Sequence, residues 1–276
     1  MKVFVTGSSG FIGRHVVREL IYRGIKPLCL VRNINSMKNL GFVSHELELV
    51  EGDLDTFDPR IYFSNHTTPD ICIHLAWQGL PNYKQMFHIE ENLPKQYKFI
   101  KSLIESGVSD ITVTGTCLEY GMQEGALSAS DFSNPLIPYA IAKDSLRRFL
   151  FALQEHLDFE IKWLRLFYTY GEGQSESSIL SQLEKSIDRG DEYFNMSGGE
   201  QIRDYLPVTE LANQIVDFSL NPGSGVFQCC SGHPVKIKDL VLNYLKMHQK
   251  HIALNLGYYA YNDYEPMEFW GKKENQ

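Results

Sequence analysis

Short runs that are almost wholly apolar recur through the first part of the chain: Lys2–Thr6, Pro27–Val31, Glu46–Val50, Asp70–Leu75, Ile111–Thr114 and Phe159–Leu166. Strands covered on both faces of a parallel sheet have this unbroken apolar character, whereas half-exposed strands alternate. Longer amphipathic stretches separate them: Phe11–Arg23 closed by Gly24, Gln85–Ser106 closed by Gly107, and Tyr139–His156 opened by Pro138. Pro at a helix start and Gly just past its end are the expected punctuation. Strand and helix alternating in this way predict a doubly wound α/β fold, a parallel sheet with right-handed crossovers.

After about Leu166 the alternation stops. Ser177–Arg189, Thr209–Leu220 and Ile237–Lys250 read as helices with short strands between them. The pattern predicts a main domain over residues 1–166 and a smaller lobe over 167–276, with part of 203–220 returning to the main domain. The tail Tyr258–Gln276 carries four of the 15 tyrosines, with Phe269 and Trp270, but no clear periodicity.

At 276 residues the chain is near the size at which one core stops growing, which fits one main domain with an added lobe. Basic residues number 26 and acidic residues 34, a net charge of −8 that argues against nucleic acid or an anionic membrane as partner. No run approaches the ~20 apolar residues of a membrane helix, and no signal peptide is expected before Val3. The five cysteines include no C-x-x-C pair, so disulfides and zinc are not expected, no metal site is assigned, and a reducing cytoplasm is.

The first strand runs directly into Thr6-Gly7-Ser8-Ser9-Gly10-Phe11-Ile12-Gly13 and then a helix. Glycines at this spacing permit a tight turn, close backbone approach to a pyrophosphate and close helix–strand packing, with the anion on free helix amides. A Walker loop would need Gly-Lys-Ser/Thr, so phosphoryl transfer is not indicated.

The segment resembles the T-G-x-x-G-F-I-G fingerprint of the extended short-chain dehydrogenase/reductase family, and further matches follow in that family's order. Gly52-Asp53-Leu54 is similar to its adenine-contacting G-D-L. Ile73-His74-Leu75-Ala76-Trp77 is similar to H-L-A-A, with Trp77 a departure. Asn92 matches the helix asparagine, and Arg203-Asp204-Tyr205-Leu206-Pro207-Val208 resembles R-D-F-I-H-V. The resemblance implies a Rossmann-type sheet with a smaller C-terminal substrate-binding lobe. It assigns the cofactor to Gly7, Ser9, Gly10, Phe11, Ile12, Gly13, Asp53, Leu54, Leu75, Ala76, Trp77, Asn92 and Thr114, and implies a homodimer through the helices near 85–106 and 139–156. The second strand ends in Val31-Arg32-Asn33 without the carboxylate that would hold an NAD ribose. Arg32 can pair with a 2′-phosphate instead, so NADP(H) is expected to be preferred, with NAD(H) usable.

Y-x-x-x-K, the family's active pair, occurs three times: Tyr22/Lys26, Tyr97/Lys101 and Tyr139/Lys143. Only the third opens a helix after the fifth strand, where four-residue spacing puts both side chains on one face. A tyrosine near pKa 10 is a poor proton carrier at neutral pH, and a neighbouring ammonium is expected to favour its charged form. By resemblance Lys143 also holds the nicotinamide ribose, and Tyr139 exchanges a proton with a sugar oxygen. Thr116, in Thr114-Gly115-Thr116-Cys117-Leu118-Glu119-Tyr120-Gly121, stands where the family has its Ser or Thr and can bond the same oxygen.

The dehydratases of the family place Asp-Glu directly after that threonine; Cys117 and Leu118 stand there in this chain. Cys117 reads as a small buried residue, and His74 as structural. Arg203 matches the arginine that contacts a nucleotide-sugar diphosphate, and an arginine fork suits phosphate. Tyr168 replaces the usual Asn of that contact. The resemblance, to reductases of dTDP-linked sugars, implies reduction of the C4 ketone of a nucleotide-linked 4-keto-6-deoxy sugar for surface polysaccharide, and the missing carboxylate pair agrees with reduction over dehydration. The alternatives are a 4-epimerase with retained NAD and a non-catalytic dinucleotide sensor, against which the intact Tyr139–Lys143 pair argues.

Overall fold

The computed structural model describes residues 1–273. Its strands are β1 (Val3–Thr6), β2 (Leu28–Val31), β3 (Glu48–Glu51), β4 (Ile71–His74), β5 (Asp110–Thr114), β6 (Gly125–Leu127), β7 (Glu160–Leu166), β8 (Tyr168–Tyr170), β9 (Tyr193–Asn195), β10 (Ile202–Pro207), β11 (Gly225–Cys229), β12 (Pro234–Lys236), β13 (Ala253–Asn255) and β14 (Phe269–Gly271). The helices are α1 (Phe11–Tyr22), α2 (Ile34–Asn39), α3 (Pro59–Ser64), α4 (Leu93–Glu105), α5 (Pro138–Gln154), α6 (Ile179–Arg189), α7 (Val208–Leu220) and α8 (Ile237–Met247).

Seven strands form one parallel sheet in the order β3-β2-β1-β4-β5-β7-β11. The chain winds outward from β1 in one direction and from β4 in the other, so the crevice for a ligand opens beyond the carboxyl ends of these neighbours. β1, β2 and β4 are buried along their whole length, as their apolar runs require. One face packs on α1 and α7 through Val16, Val17, Leu20, Leu211, Ile215 and Val216. The other packs on α3, α4 and α5 through Phe63, Phe99, Ile100, Leu103, Leu146 and Leu150.

The division near residue 166 is not a clean one. α7 lies on the main sheet, and β11 adds a seventh strand beside β7. The lobe proper contains α6 and α8 around Leu180, Leu183, Phe194 and Val241. The small sheet β8-β10-β12 joins the two parts. The stretch 85–106 is not one helix. His88–Asn92 form a π-helical turn, in which the Leu93 amide donates to the His88 carbonyl, before α4 begins. Pro94 has no N–H to offer a preceding carbonyl, which favours such a widened turn. The tail is ordered through residue 273: β14 pairs in parallel with β6. Residues 274–276 of that tail lie outside the described residues.

Candidate active site

The turn after β1 meets the turn after β4 at the switch point of the sheet. Gly7 has φ +70°, and a Cβ there would lie 2.8 Å from the Ala76 nitrogen. A Cβ on Gly13 would lie 2.0 Å from the Gly7 oxygen. Gly10 caps α1 in an extended conformation with no side-chain hydrogen bond, so the first helix amides face the crevice unclaimed by a cap. Ser9, Phe11 and Ile12 line the same turn, half-buried. This cradle fits a dinucleotide pyrophosphate, and Leu75, Ala76 and Trp77 form its opposite wall.

At the adenine end, Arg32 is exposed directly after β2, beside Asn33, which caps α2. Asp53 follows β3, and one carboxylate oxygen accepts from the Asp55 and Thr56 amides. The Thr56 amide, first among these donors, holds its carboxyl below the ordinary range. Leu54 packs against the apolar cluster under the sheet.

The three catalytic candidates Thr116, Tyr139 and Lys143 lie close together at the carboxyl end of β5. Pro138 opens α5, so Tyr139 and Lys143 fall on its first turns, and both are buried. The Tyr139 amide donates to the Tyr83 carbonyl at 3.1 Å. Lys143 Nζ donates to the carbonyl of Thr114, the last residue of β5, at 2.7 Å. Its ammonium also lies 4.2 Å from the centre of the Trp77 ring. Thr116 caps a 3₁₀ turn over Cys117–Tyr120: its Oγ1 accepts from the Leu118 amide at 3.3 Å, and its own amide donates to Glu119 Oε1 at 2.9 Å.

Burial decides the charge states. It pushes the Tyr139 phenol far up, against a smaller opposing contribution from a Thr116 side-chain hydrogen bond. It pulls Lys143 down to about 7, with the Glu119 charge opposing. The expected lowering of Tyr139 by an adjacent ammonium is therefore absent, because desolvation outweighs it and the ammonium is aimed at Thr114 and Trp77. A neutral Tyr139 is a proton donor, the form needed when a ketone becomes an alcohol.

Sequence reasoning passed over Glu119, although Thr116-x-x-Glu119 is a capping-box spacing. Its fully buried carboxylate accepts from Trp163 Nε1 at 3.0 Å and Arg165 Nε at 2.8 Å. It fixes the turn that presents Thr116 and does not face the crevice. Burial raises the Cys117 thiol and keeps it neutral. His74 is buried between Thr6 Oγ1 and Gln96, as a structural histidine should be.

Two assigned residues already have partners within the protein. Asn92 is buried, donating to the Gln78 carbonyl at 3.0 Å and to His88 Nδ1, so it braces the turn after β4. Arg203 is not an open fork. Its two Nη atoms donate to Ile202, Glu265, Pro266 and Met267, because the tail folds back over it, and its guanidinium lies 4.6 Å from the Phe269 ring centre. Only Arg203 Nε and the Tyr168 hydroxyl remain buried there without a partner among the described residues. Nothing in the sequence pattern links Glu265 to Arg203. A cavity of about 700 Å³ lies away from the trio, between α7, β11 and residues 272–273. None of the three catalytic candidates lines it.

A glycine cradle at a sheet switch point, with Tyr139, Lys143 and Thr116 buried beyond it, belongs to a Rossmann-type α/β fold of the extended short-chain class. The chain belongs to the NAD dependent epimerase/dehydratase family, whose model matches residues 3–226. It is 31% identical over 99% of its length, and all of the relative's, to a protein of Aggregatibacter actinomycetemcomitans named dTDP-6-deoxy-L-talose 4-dehydrogenase (NAD(+)). It is 27% identical to a UDP-glucose 4-epimerase of Halalkalibacterium halodurans over 85% of this chain and 82% of that one. Among solved structures, UDP-N-acetylglucosamine 4-epimerase from Methanobrevibacter ruminantium superposes with a TM-score of 0.82 at 23% identity, covering 99% of this chain and 89% of the other. At that identity the likeness is one of fold. No helix among the described residues is long and apolar enough to cross a membrane.

Proposed function

We propose that the protein interconverts a hydroxyl and a ketone at C4 of a nucleotide-linked 6-deoxy sugar, working as a reductase of the 4-keto form. The observation that carries this reading is a site with one proton relay and no carboxylate pair. Cys117 is a neutral thiol, Leu118 is apolar, and Glu119 is sealed in an ion pair with Arg165. Dehydration needs a second acid and base; reduction needs one proton and a hydride.

A bound nicotinamide, held by the Gly7–Gly13 cradle, Leu75–Trp77, Thr114 and Lys143, would supply the hydride. Tyr139 donates the proton to the developing alkoxide, and Thr116 bonds the same oxygen and sets its direction. The Tyr168 hydroxyl and Arg203 Nε–H are the donors left for the rest of the substrate. The relative named for 4-dehydrogenation of dTDP-6-deoxy-L-talose supports dTDP as the nucleotide and C4 as the carbon, since that reaction is the same step run backward.

The cofactor proposed is NADPH, on the exposed Arg32 and the lack of a carboxylate after β2. The NAD(+) in that relative's name weighs toward NADH, so both belong in the assay. A cytoplasmic homodimer through α4 and α5 accompanies this reading; the Tyr97 and Phe149 rings, 5.9 Å apart, lie on those helices, with Phe149 exposed.

The second reading is 4-epimerisation of a UDP-hexose, favoured by the relative named UDP-glucose 4-epimerase. A panel of dTDP- and UDP-linked 4-keto sugars with NADPH or NADH, followed at 340 nm, separates the two. Stoichiometric cofactor oxidation with a 4-keto-6-deoxy sugar is expected. Interconversion of UDP-glucose and UDP-galactose without net cofactor change, by protein that purifies with bound NAD, would overturn the reductase.

A further inference from the structure

Trp77 departs from the small residue its position usually carries, and its surroundings explain what it does. One edge of the indole is fixed: Nε1–H donates to His88 Nδ1 at 3.1 Å. His88 is fully buried, and its Nε2 lies 3.1 Å from the Asn82 carbonyl. That carbonyl can only accept, so the proton is on Nε2 and Nδ1 is a free acceptor. Asn92, one turn away across the π-helical turn, also donates to Nδ1 at 3.2 Å. The face of the indole is then held against the Lys143 ammonium, 4.2 Å from its centre. The same two rings flank Tyr139, which meets Trp77 edge-on at 5.8 Å and His88 at 5.3 Å.

We propose that Trp77, oriented by neutral His88, is a positioning residue that keeps the buried Lys143 charged and aimed across the crevice. Among the described residues Lys143 has one hydrogen-bond acceptor, Thr114 O, and its side chain is buried. An ammonium there needs compensation, and an aromatic face supplies it without competing for the N–H groups that a ribose would use. The other titratable groups facing Lys143 are Glu119 from the 3₁₀ turn, His74 from β4, His88 itself and Tyr139 on α5. Of these only Glu119 raises it. The burial of neutral His88 is consistent with this part, since desolvation, and then the Lys143 charge, disfavour its protonation.

The idea rests on the proposed role of the Tyr139–Lys143 pair, so its test uses a readout independent of any substrate. The ¹³Cε resonance of Lys143, assigned by its loss in Lys143→Arg, is titrated in the full chain. In Trp77→Leu the apparent pKa should fall by about one unit or more, as a desolvated cation–π contact of ~2 kcal/mol implies. Trp77→Phe keeps an aromatic face over the ammonium and should titrate closer to the native chain than His88→Leu does, a comparison that stands even if Trp77→Leu is too unstable to titrate. His88→Leu should lower it too, and the double variant should shift no further than Trp77→Leu alone, because both act through one contact. An unchanged Lys143 titration in Trp77→Leu, or full additivity with His88→Leu, would overturn the proposal. If the titration shifts as expected but no keto sugar is reduced, the reaction assignment fails and this contact stands.

Discussion

Gly7 and Ala76 lie back to back: a methyl group on Gly7 would sit 2.8 Å from the Ala76 nitrogen. The turns after β1 and β4 are thereby locked together through bare backbone, and the crevice they frame is the width the glycines permit. The same logic governs Gly13, where a Cβ would be 2.0 Å from the Gly7 oxygen. Gly13→Ala must therefore push α1 away from the turn. Dinucleotide affinity should fall at least about tenfold, or 1.4 kcal/mol, with the secondary structure retained. Fluorescence titration with NADH and NADPH measures it, and unaltered binding of both would show that the cradle lies elsewhere.

Tyr139→Phe removes one hydroxyl and keeps the ring between Trp77 and His88. Turnover should drop by about 10²–10⁴-fold while cofactor affinity survives. Lys143→Ala should damage both. Near-native kcat in Tyr139→Phe would direct attention to Tyr97, which has the next Tyr-x-x-x-Lys spacing within a helix.

Arg32→Ala tests the choice of cofactor. Losing a charge-assisted hydrogen bond worth about 1.5–3 kcal/mol should lower kcat/KM for NADPH by roughly ten- to a hundredfold. The value for NADH should hold or rise. Equal kcat/KM for both cofactors, unmoved by the substitution, would remove Arg32 from the ribose site.

Arg203 and Glu265 form a buried pair at 3.0 Å, with the two side chains 1% and 9% exposed. Removing the cation leaves the carboxylate stranded, so Arg203→Ala should cost roughly 3–5 kcal/mol and expose the segment after residue 258 to protease. Denaturant unfolding and limited proteolysis report both effects. A variant of native stability whose KM for nucleotide sugar alone rises would mean that the guanidinium turns to the diphosphate instead.

His74 is held neutral by burial, its pKa lowered to about 4 from an ordinary 6.5. Its folded value lies below the unfolded one, so the unfolded chain binds the extra proton between these limits. Stability from this group is complete above pH 6.5 and is lost as pH falls toward 4, by roughly 3 kcal/mol in all. Unfolding free energies at pH 7, 6 and 5 should decline less steeply in His74→Asn than in the native chain. An identical slope would place the linkage on another group.

The sheet was legible because its central strands β1, β2 and β4 are buried along their whole length and read as apolar runs; Val3–Thr6 and Ile71–His74 differ from the expected spans by a residue or two. The cradle and the Tyr139–Lys143 pair were legible because each depends on spacing within one turn or one helix. α2 and α3 were not, being six residues long and marked only by their caps Asn33 and Asp58. β11 was missed because it returns to the main sheet after the alternation has ended. Glu265 on Arg203 and His88 on Trp77 depend on where the chain folds back, which no local periodicity records.

The pairing of β14 with β6 gives the molecule a timetable. The cradle, Tyr139 and Lys143 all leave the ribosome before residues 265–271 exist, and folding during synthesis proceeds from the N-terminal side. A nascent chain can thus assemble its sheet and take up dinucleotide while the flank of Thr116 is still open. Phe269 of β14 closes over Cys117 and Tyr120, the neighbours of Thr116, so translation itself makes this the last part of the candidate site to be enclosed.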